Sequence, residues 1–166
     1  RFNFNLKEIK SLKNFNLICI SVKWQYRILG KLIYNVKQNT YFDNLEQNIL
    51  LRKKLRFLIR DLFFISHKLF RFKAVIGTSV HYKSDLDIGE YFSSIKVPYI
   101  IFHKEGFFVT KDQQEFVYNI YKKYKQLNAD LVFVNNNIVK KILKKTCCRN
   151  VNVKSYGSMV YNRLNK

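Results

Sequence analysis

Lys73-Ala-Val-Ile-Gly-Thr-Ser79, Val97-Pro-Tyr-Ile-Ile-Phe-His103, Asp130-Leu-Val-Phe-Val-Asn135 and Asn150-Val-Asn-Val-Lys-Ser-Tyr-Gly157 are four apolar runs ending in polar, glycine- or histidine-containing tips. Helix-like segments separate them. Short β-branched and aromatic runs alternating with helical patterns predict βαβ units and a parallel sheet. All strand C-termini then share one edge, where open sheets of this kind bind ligands. Gly77-Thr78-Ser79, His103-Lys104-Glu105-Gly106, Asn135-Asn136 and Gly157-Ser158 become neighbours in an expected cleft. The strands are expected near Phe15 to Val22, Lys73 to Gly77, Val97 to Phe102, Asp130 to Val134 and Val151 to Lys154, with helices on both faces.

Between the first two of these strands, Leu45 to Phe72 carries the strongest helical pattern of the chain. Leu51, Leu55, Leu58, Leu62, Ile65 and Leu69 recur at spacings of three and four, which places them on one face. Lys53, Arg56, Arg60, His67 and Arg71 fall opposite, with Phe57, Phe63, Phe64 and Phe70 on the flanks. Such a helix either lies in an anionic membrane interface or covers the sheet with its leucines in the core, and amphipathicity alone does not separate the two. The core reading is the preferred one. Further helices are expected from Ser84 to Ile95, from Lys111 through Leu127 with Phe116, Ile120, Tyr124 and Leu127 on one side, and from an Asn136 or Asn137 cap to Lys145.

The 166 residues, with 48% hydrophobic and 25% charged content, suffice for a single well-cored domain over 1–166, residues 1–14 being its least defined part. The 31 Lys and Arg against 11 Asp and Glu leave a formal charge of +20. That field attracts polyanions, although an AT-rich coding bias writes the same Lys-, Asn- and Ile-rich composition. Cys19 and the adjacent Cys147 and Cys148 make a poor disulfide framework and suit a reducing, cytoplasmic setting. No Cys or His spacing suggests zinc, and no cofactor motif is present. No apolar run is long enough to span a bilayer, and no signal peptide precedes the first strand. The chain opens on Arg1, so a longer parent protein is expected.

His103 follows a strand directly, which puts a titratable imidazole at the ligand edge as a candidate general base. Lys104 offers a point charge for phosphate, and Glu105 and Gly106 complete the loop. The bland alternative is a loop whose histidine bonds to backbone. Gly77, Thr78 and Ser79 supply backbone freedom and hydroxyls without the remaining residues of a dinucleotide fingerprint or P-loop. His81, in the following turn, stands within reach of the same cleft. Asp85, Asp87 and Glu90 read as capping and dipole compensation.

Val97-Pro-Tyr-Ile-Ile-Phe-His-Lys-Glu-Gly106 resembles the "gly-val-pro-phe-val-val-leu-His-Lys-Glu" segment of bacterial surface-carbohydrate biosynthesis proteins, which are similar to CDP-glycerol glycerophosphotransferases. Ala74 to Tyr82, Asp130 to Asn135 and Val151 to Asn162 resemble neighbouring passages of that family in the same order. Met159, Val160 and Asn162 depart from its closing Pro-Arg-x-Asp pattern. The resemblance implies an α/β, Rossmann-like parallel sheet flanked by helices, like the N-terminal domain of a GT-B glycosyltransferase. It implies His103 as the catalytic base and an acceptor-side role with a saccharide or lipid-linked acceptor. The nucleotide-activated donor would be held by a separate C-terminal domain, at the inner face of the cell membrane. The rival from another class is a basic nucleic-acid-binding module; the aromatics sit at core periodicity and no RNA- or DNA-reading motif is present, which disfavours it. A non-catalytic remnant of a transferase is a third reading.

Overall fold

The computed structural model describes residues 16, 18, 46–80, 83–103 and 110–157. The chain divides into two compact units, Arg1–Tyr41 and Phe42–Lys166. Of the first unit only Asn16 and Ile18 are described; both lie outside helix and strand, and Ile18 is exposed. They do not belong to the buried strand expected there, and the rest of that strand and the helix from Trp24 to Val36 lie outside the described residues.

The second unit runs α1 (Glu46–Phe70), β1 (Val75–Gly77), α2 (Lys83–Ser94), β2 (Tyr99–Phe102), α3 (Lys111–Lys122), β3 (Leu131–Val134), α4 (Asn137–Lys145) and β4 (Asn152–Ser155). The four strands pair in the order β1-β2-β3-β4, every pair parallel. This is an α/β fold, and each expected apolar run from Lys73 onward holds its strand. Asp130 fixes the lower end of the sheet: its carboxylate accepts from the Tyr99 N–H at 2.8 Å, while its own N–H donates to the Tyr99 carbonyl at 3.0 Å. Pro98 opens β2 where no donor is required, and its carbonyl accepts from Val75 N–H.

Of the two helix-covered faces expected, the described residues show one. An unreversed strand order with right-handed crossovers puts α2, α3 and α4 on one face. Burial agrees. Tyr99, Ile101, Val132, Val134 and Val153 are buried and share one core with Phe92, Val117, Tyr121, Val139 and Leu143 from those helices. The alternate residues Ile100, Phe102, Leu131 and Phe133 are half-buried, and Ile76 is 42% exposed. Each fully buried large side chain contributes about 1.5–3 kcal/mol, so one sheet face supplies most of the stability.

Helix faces differ from the sequence reading in two places. On α3 the inward residues are Val117 and Tyr121, spaced by four; Phe116 is 66% exposed, and Tyr124 and Leu127 lie beyond the helix end. On α1, Phe63 packs against Tyr91 and Phe92 of α2 with ring centroids 6.2 and 5.1 Å apart. Leu62, Ile65 and Leu69 of the leucine stripe are instead exposed, so they are not core. Arg56, on the same side of α1 as Phe63, binds Asp87 at 3.1 Å and Glu90 of α2, and Lys125 also binds Glu90. Arg56 is therefore committed within the fold rather than offered to headgroups.

Burial alone would raise the Glu90 carboxyl, but the hydrogen bond and charge of Lys125, joined by Arg56, hold it below its ordinary 4.5. A depressed carboxylate stabilises the fold above its unfolded value, and that stabilisation is lost as pH falls through the folded one. In urea melts between roughly pH 5 and pH 3, wild type is expected to lose more stability than Glu90→Gln. Equal slopes would remove the network from the stability of the domain.

Local capping follows the sequence. Thr110 and Gln113 form a capping box on α3, with Thr110 Oγ1 accepting from Gln113 N–H at 3.2 Å. Asn136 caps α4 through Val139 N–H at 2.9 Å. At the end of α2, Lys96 takes φ +58 where glycine is usual, while Val97 N–H reaches the Phe92 carbonyl and Lys96 N–H the Ser93 carbonyl. Lys96→Gly is expected to raise stability by about 0.5–1 kcal/mol by relieving that left-handed strain, read as a higher urea midpoint. A lower midpoint would mean the lysine side chain does more for the fold than its strained backbone costs.

Candidate functional site

Register places the polar tips side by side. Gly77 is level with Ile101, Phe102 with Phe133, and Val134 with Ser155. The next residues along each strand are Thr78 and Ser79, His103, Asn135 and Asn136, and Tyr156 and Gly157, so these expected site residues share the carboxyl edge. His103 N–H extends the ladder to the Phe133 carbonyl at 2.8 Å, and Tyr156 N–H does the same to Val134 at 3.1 Å. Lys104, Glu105, Gly106, His81 and Ser158 lie outside the described residues.

His103 sits at the expected tip but is 0% exposed. Alternation explains this: Tyr99, Ile101 and His103 follow one another at period two on the helix-covered face. The ring therefore enters the helical layer, where Nε2 lies 3.2 Å from the Tyr121 hydroxyl of α3 and the two rings meet edge to face. The expected accessible imidazole is corrected to a buried one. Gly77 and Ser79 are also buried, Thr78 and Asn135 half-buried, and Gly157 exposed. Gly157 has φ +79, a conformation that costs other residues strain, with open space where a side chain would stand.

Sequence reasoning missed the opposite face of this edge. Phe102 and Phe133 stack with centroids 4.9 Å apart, and Tyr156 stands edge-on to both at 6.2 and 5.7 Å. All three are half-buried. Lys154 pairs in register with Phe133, which puts it on the same face, and it is exposed. Ser155 Oγ donates to Asn137 Oδ1 at 2.6 Å nearby. Burial pushes the Tyr156 hydroxyl above its ordinary value, so at neutral pH it is protonated and a hydrogen-bond donor. The legible signal was period two, which sets Phe102 and Phe133 opposite the core residues of their strands.

An aromatic surface beside a cation and a hydroxyl donor suits a ligand with an apolar or sugar face and a phosphate. A crevice of the doubly wound kind needs a reversal of strand order, and the four described strands have none. Among the described residues no group of His, Cys, Asp and Glu is assembled to hold a metal, and no helix is long and apolar enough to cross a membrane. Cys147 and Cys148 are buried free thiols with Sγ atoms 3.8 Å apart, in the turn after α4 and away from this edge. Comparison with protein-family models, curated proteins and solved structures gave no match.

Proposed function

We propose that this chain is the acceptor-side domain of a GT-B-like transferase that passes a sugar or polyol phosphate from a nucleotide-activated donor to a saccharide or lipid-linked acceptor. The observation that carries the reading is the aromatic trio Phe102, Phe133 and Tyr156 beside Lys154 at the carboxyl edge. Sugar C–H faces stack on aromatic rings, the Tyr156 hydroxyl donates to a ring oxygen or hydroxyl, and Lys154 attracts phosphate as a point charge. Thr78 and Asn135, half-buried at the neighbouring tips, supply further polar contacts. His103 positions Tyr121 and the β2 tip from below and does not touch substrate in this arrangement. The resemblance of Val97 to Gly106 to surface-carbohydrate biosynthesis proteins supports the same substrate class, and the separate donor-binding domain belongs to that resemblance.

The test is calorimetric titration of the 166-residue chain with a short-chain polyprenyl-diphosphate saccharide and, separately, with CDP-glycerol. Saturable binding of the lipid-linked saccharide is expected, weakened about tenfold or more in Phe133→Ala, the size of one lost aromatic contact. CDP-glycerol is expected not to bind. The reverse preference would overturn the acceptor-side assignment. Nucleic acid is the rival ligand because Lys141, Lys144, Lys145 and Arg149 are exposed and no carboxylate follows Asp130 in the sequence. RNA binding with a steep salt slope and no dependence on Phe133 would favour that rival.

A further inference from the structure

Two rows of side chains run along the outer side of α1. In the first, Leu58, Leu62, Ile65 and Leu69 recur at spacings of three and four, and the last three are 42%, 55% and 71% exposed. In the second, Lys53, Phe57, Arg60, Phe64 and Lys68 recur at the same spacings, so exposed cations alternate with phenylalanines that are 49% and 45% exposed. The cations lie over the rings. Arg60 is 5.0 Å from the centroid of Phe57, and Lys68 Nζ is 4.6 Å from that of Phe64. At the helix end, exposed Phe70 is followed by exposed Arg71 and Lys73.

The domain holds α1 by a different line of residues. Arg56 binds Asp87 and Glu90, and Phe63 packs on Tyr91 and Phe92, which leaves both rows outward. An exposed apolar patch of this extent marks an interaction surface rather than a solvated face. Charge narrows the partner. Asp61 is the only carboxylate between Glu46 and Asp85 in the sequence, and Arg60 binds it at 3.1 Å, so the margin of the patch is cationic. A nucleic acid would engage the cations and leave the leucines in water; an uncharged apolar partner would do the reverse. A bilayer containing anionic lipid meets both rows, offering acyl chains to the leucines and phosphates to the lysines.

We infer that α1 docks the domain on an anionic membrane surface, with the helix lying in the plane of the interface. Leu62, Ile65 and Leu69 enter the acyl boundary. Lys53, Arg60 and Lys68 extend along their apolar stems to the headgroups, while Phe57 and Phe64 fill the level between the two. Among the described residues no helix is long and apolar enough to cross a membrane, so the contact is made from one side. The inference stands on α1 alone and does not rest on the transferase reading.

Co-sedimentation of the full 166-residue chain with vesicles at physiological salt tests it. Binding is expected to vesicles of equal parts phosphatidylglycerol and phosphatidylcholine and not to phosphatidylcholine alone. Ile65→Asn/Leu69→Asn is expected to weaken binding about tenfold or more through lost apolar burial. Lys53→Glu/Lys68→Glu is expected to weaken it about thirtyfold or more, from about 1 kcal/mol for each cation at the surface. All four side chains are exposed, so the urea midpoints of both variants are expected to match wild type. The generic field of a +20 chain is controlled by Lys141→Glu/Lys145→Glu on α4, which removes the same charge and is expected to leave binding within about threefold. No binding to the anionic vesicles, equal binding to neutral ones, indifference to the asparagine changes, or an equal loss in the α4 variant would each overturn the inference.

Discussion

Gly89→Ala is expected to destabilise the domain by about 3 kcal/mol, against the helix propensity of alanine, which alone favours the change by about 1 kcal/mol. Gly89 lies in α2, where the helix runs close against the sheet. A Cβ there would stand 2.3 Å from the Asn128 carbonyl oxygen and 2.9 and 3.0 Å from Tyr99 ring carbons. Neither neighbour yields easily. Asn128 offers backbone just before β3, and Tyr99 is fully buried. α2 must therefore lift off β2, opening the contact that also seats Phe92. A fall in the urea midpoint at unchanged slope is the expected readout. A neutral or raised midpoint would mean that α2 does not sit this close to the sheet.

His103→Ala is expected to cost about 2–4 kcal/mol of stability, because it removes a fully buried ring and its hydrogen bond to Tyr121. The effect discriminates between two roles. A surface general base would leave stability intact and lower turnover alone; a buried positioning residue lowers stability first. Tyr121→Phe keeps the ring and removes only the hydroxyl, so a loss of about 1 kcal/mol is expected. If His103→Ala melts like wild type, the imidazole is not held as the geometry indicates, and the base role regains its ground.

The strands were legible because each is a short β-branched or aromatic run bounded by polar tips, as Tyr99 to Phe102 and Leu131 to Val134 are. The α4 cap was equally legible, since Asn136 has a local partner in Val139. Sidedness was harder. His103, Phe102 and Phe133 differ in function by which way one strand faces, and that depends on strand order, which no local pattern encodes. The unreversed order leaves one sheet face to three helices and turns His103 inward. On α3, bulk misled: Phe116 is larger than Val117, yet Val117 points to the core. On α1, periodicity identified the stripe, but it could not say that Phe63 and Arg56, rather than the leucines, would dock on α2.

The most direct test of the ligand edge is an amide chemical-shift map of the chain while a short-chain polyprenyl-diphosphate saccharide is added. The expected result is perturbation concentrated at Gly77 to Val80, Phe133 to Asn137 and Lys154 to Gly157, with α1 unchanged. Shifts confined to the lysines of α4, or none at saturating ligand, would contradict it.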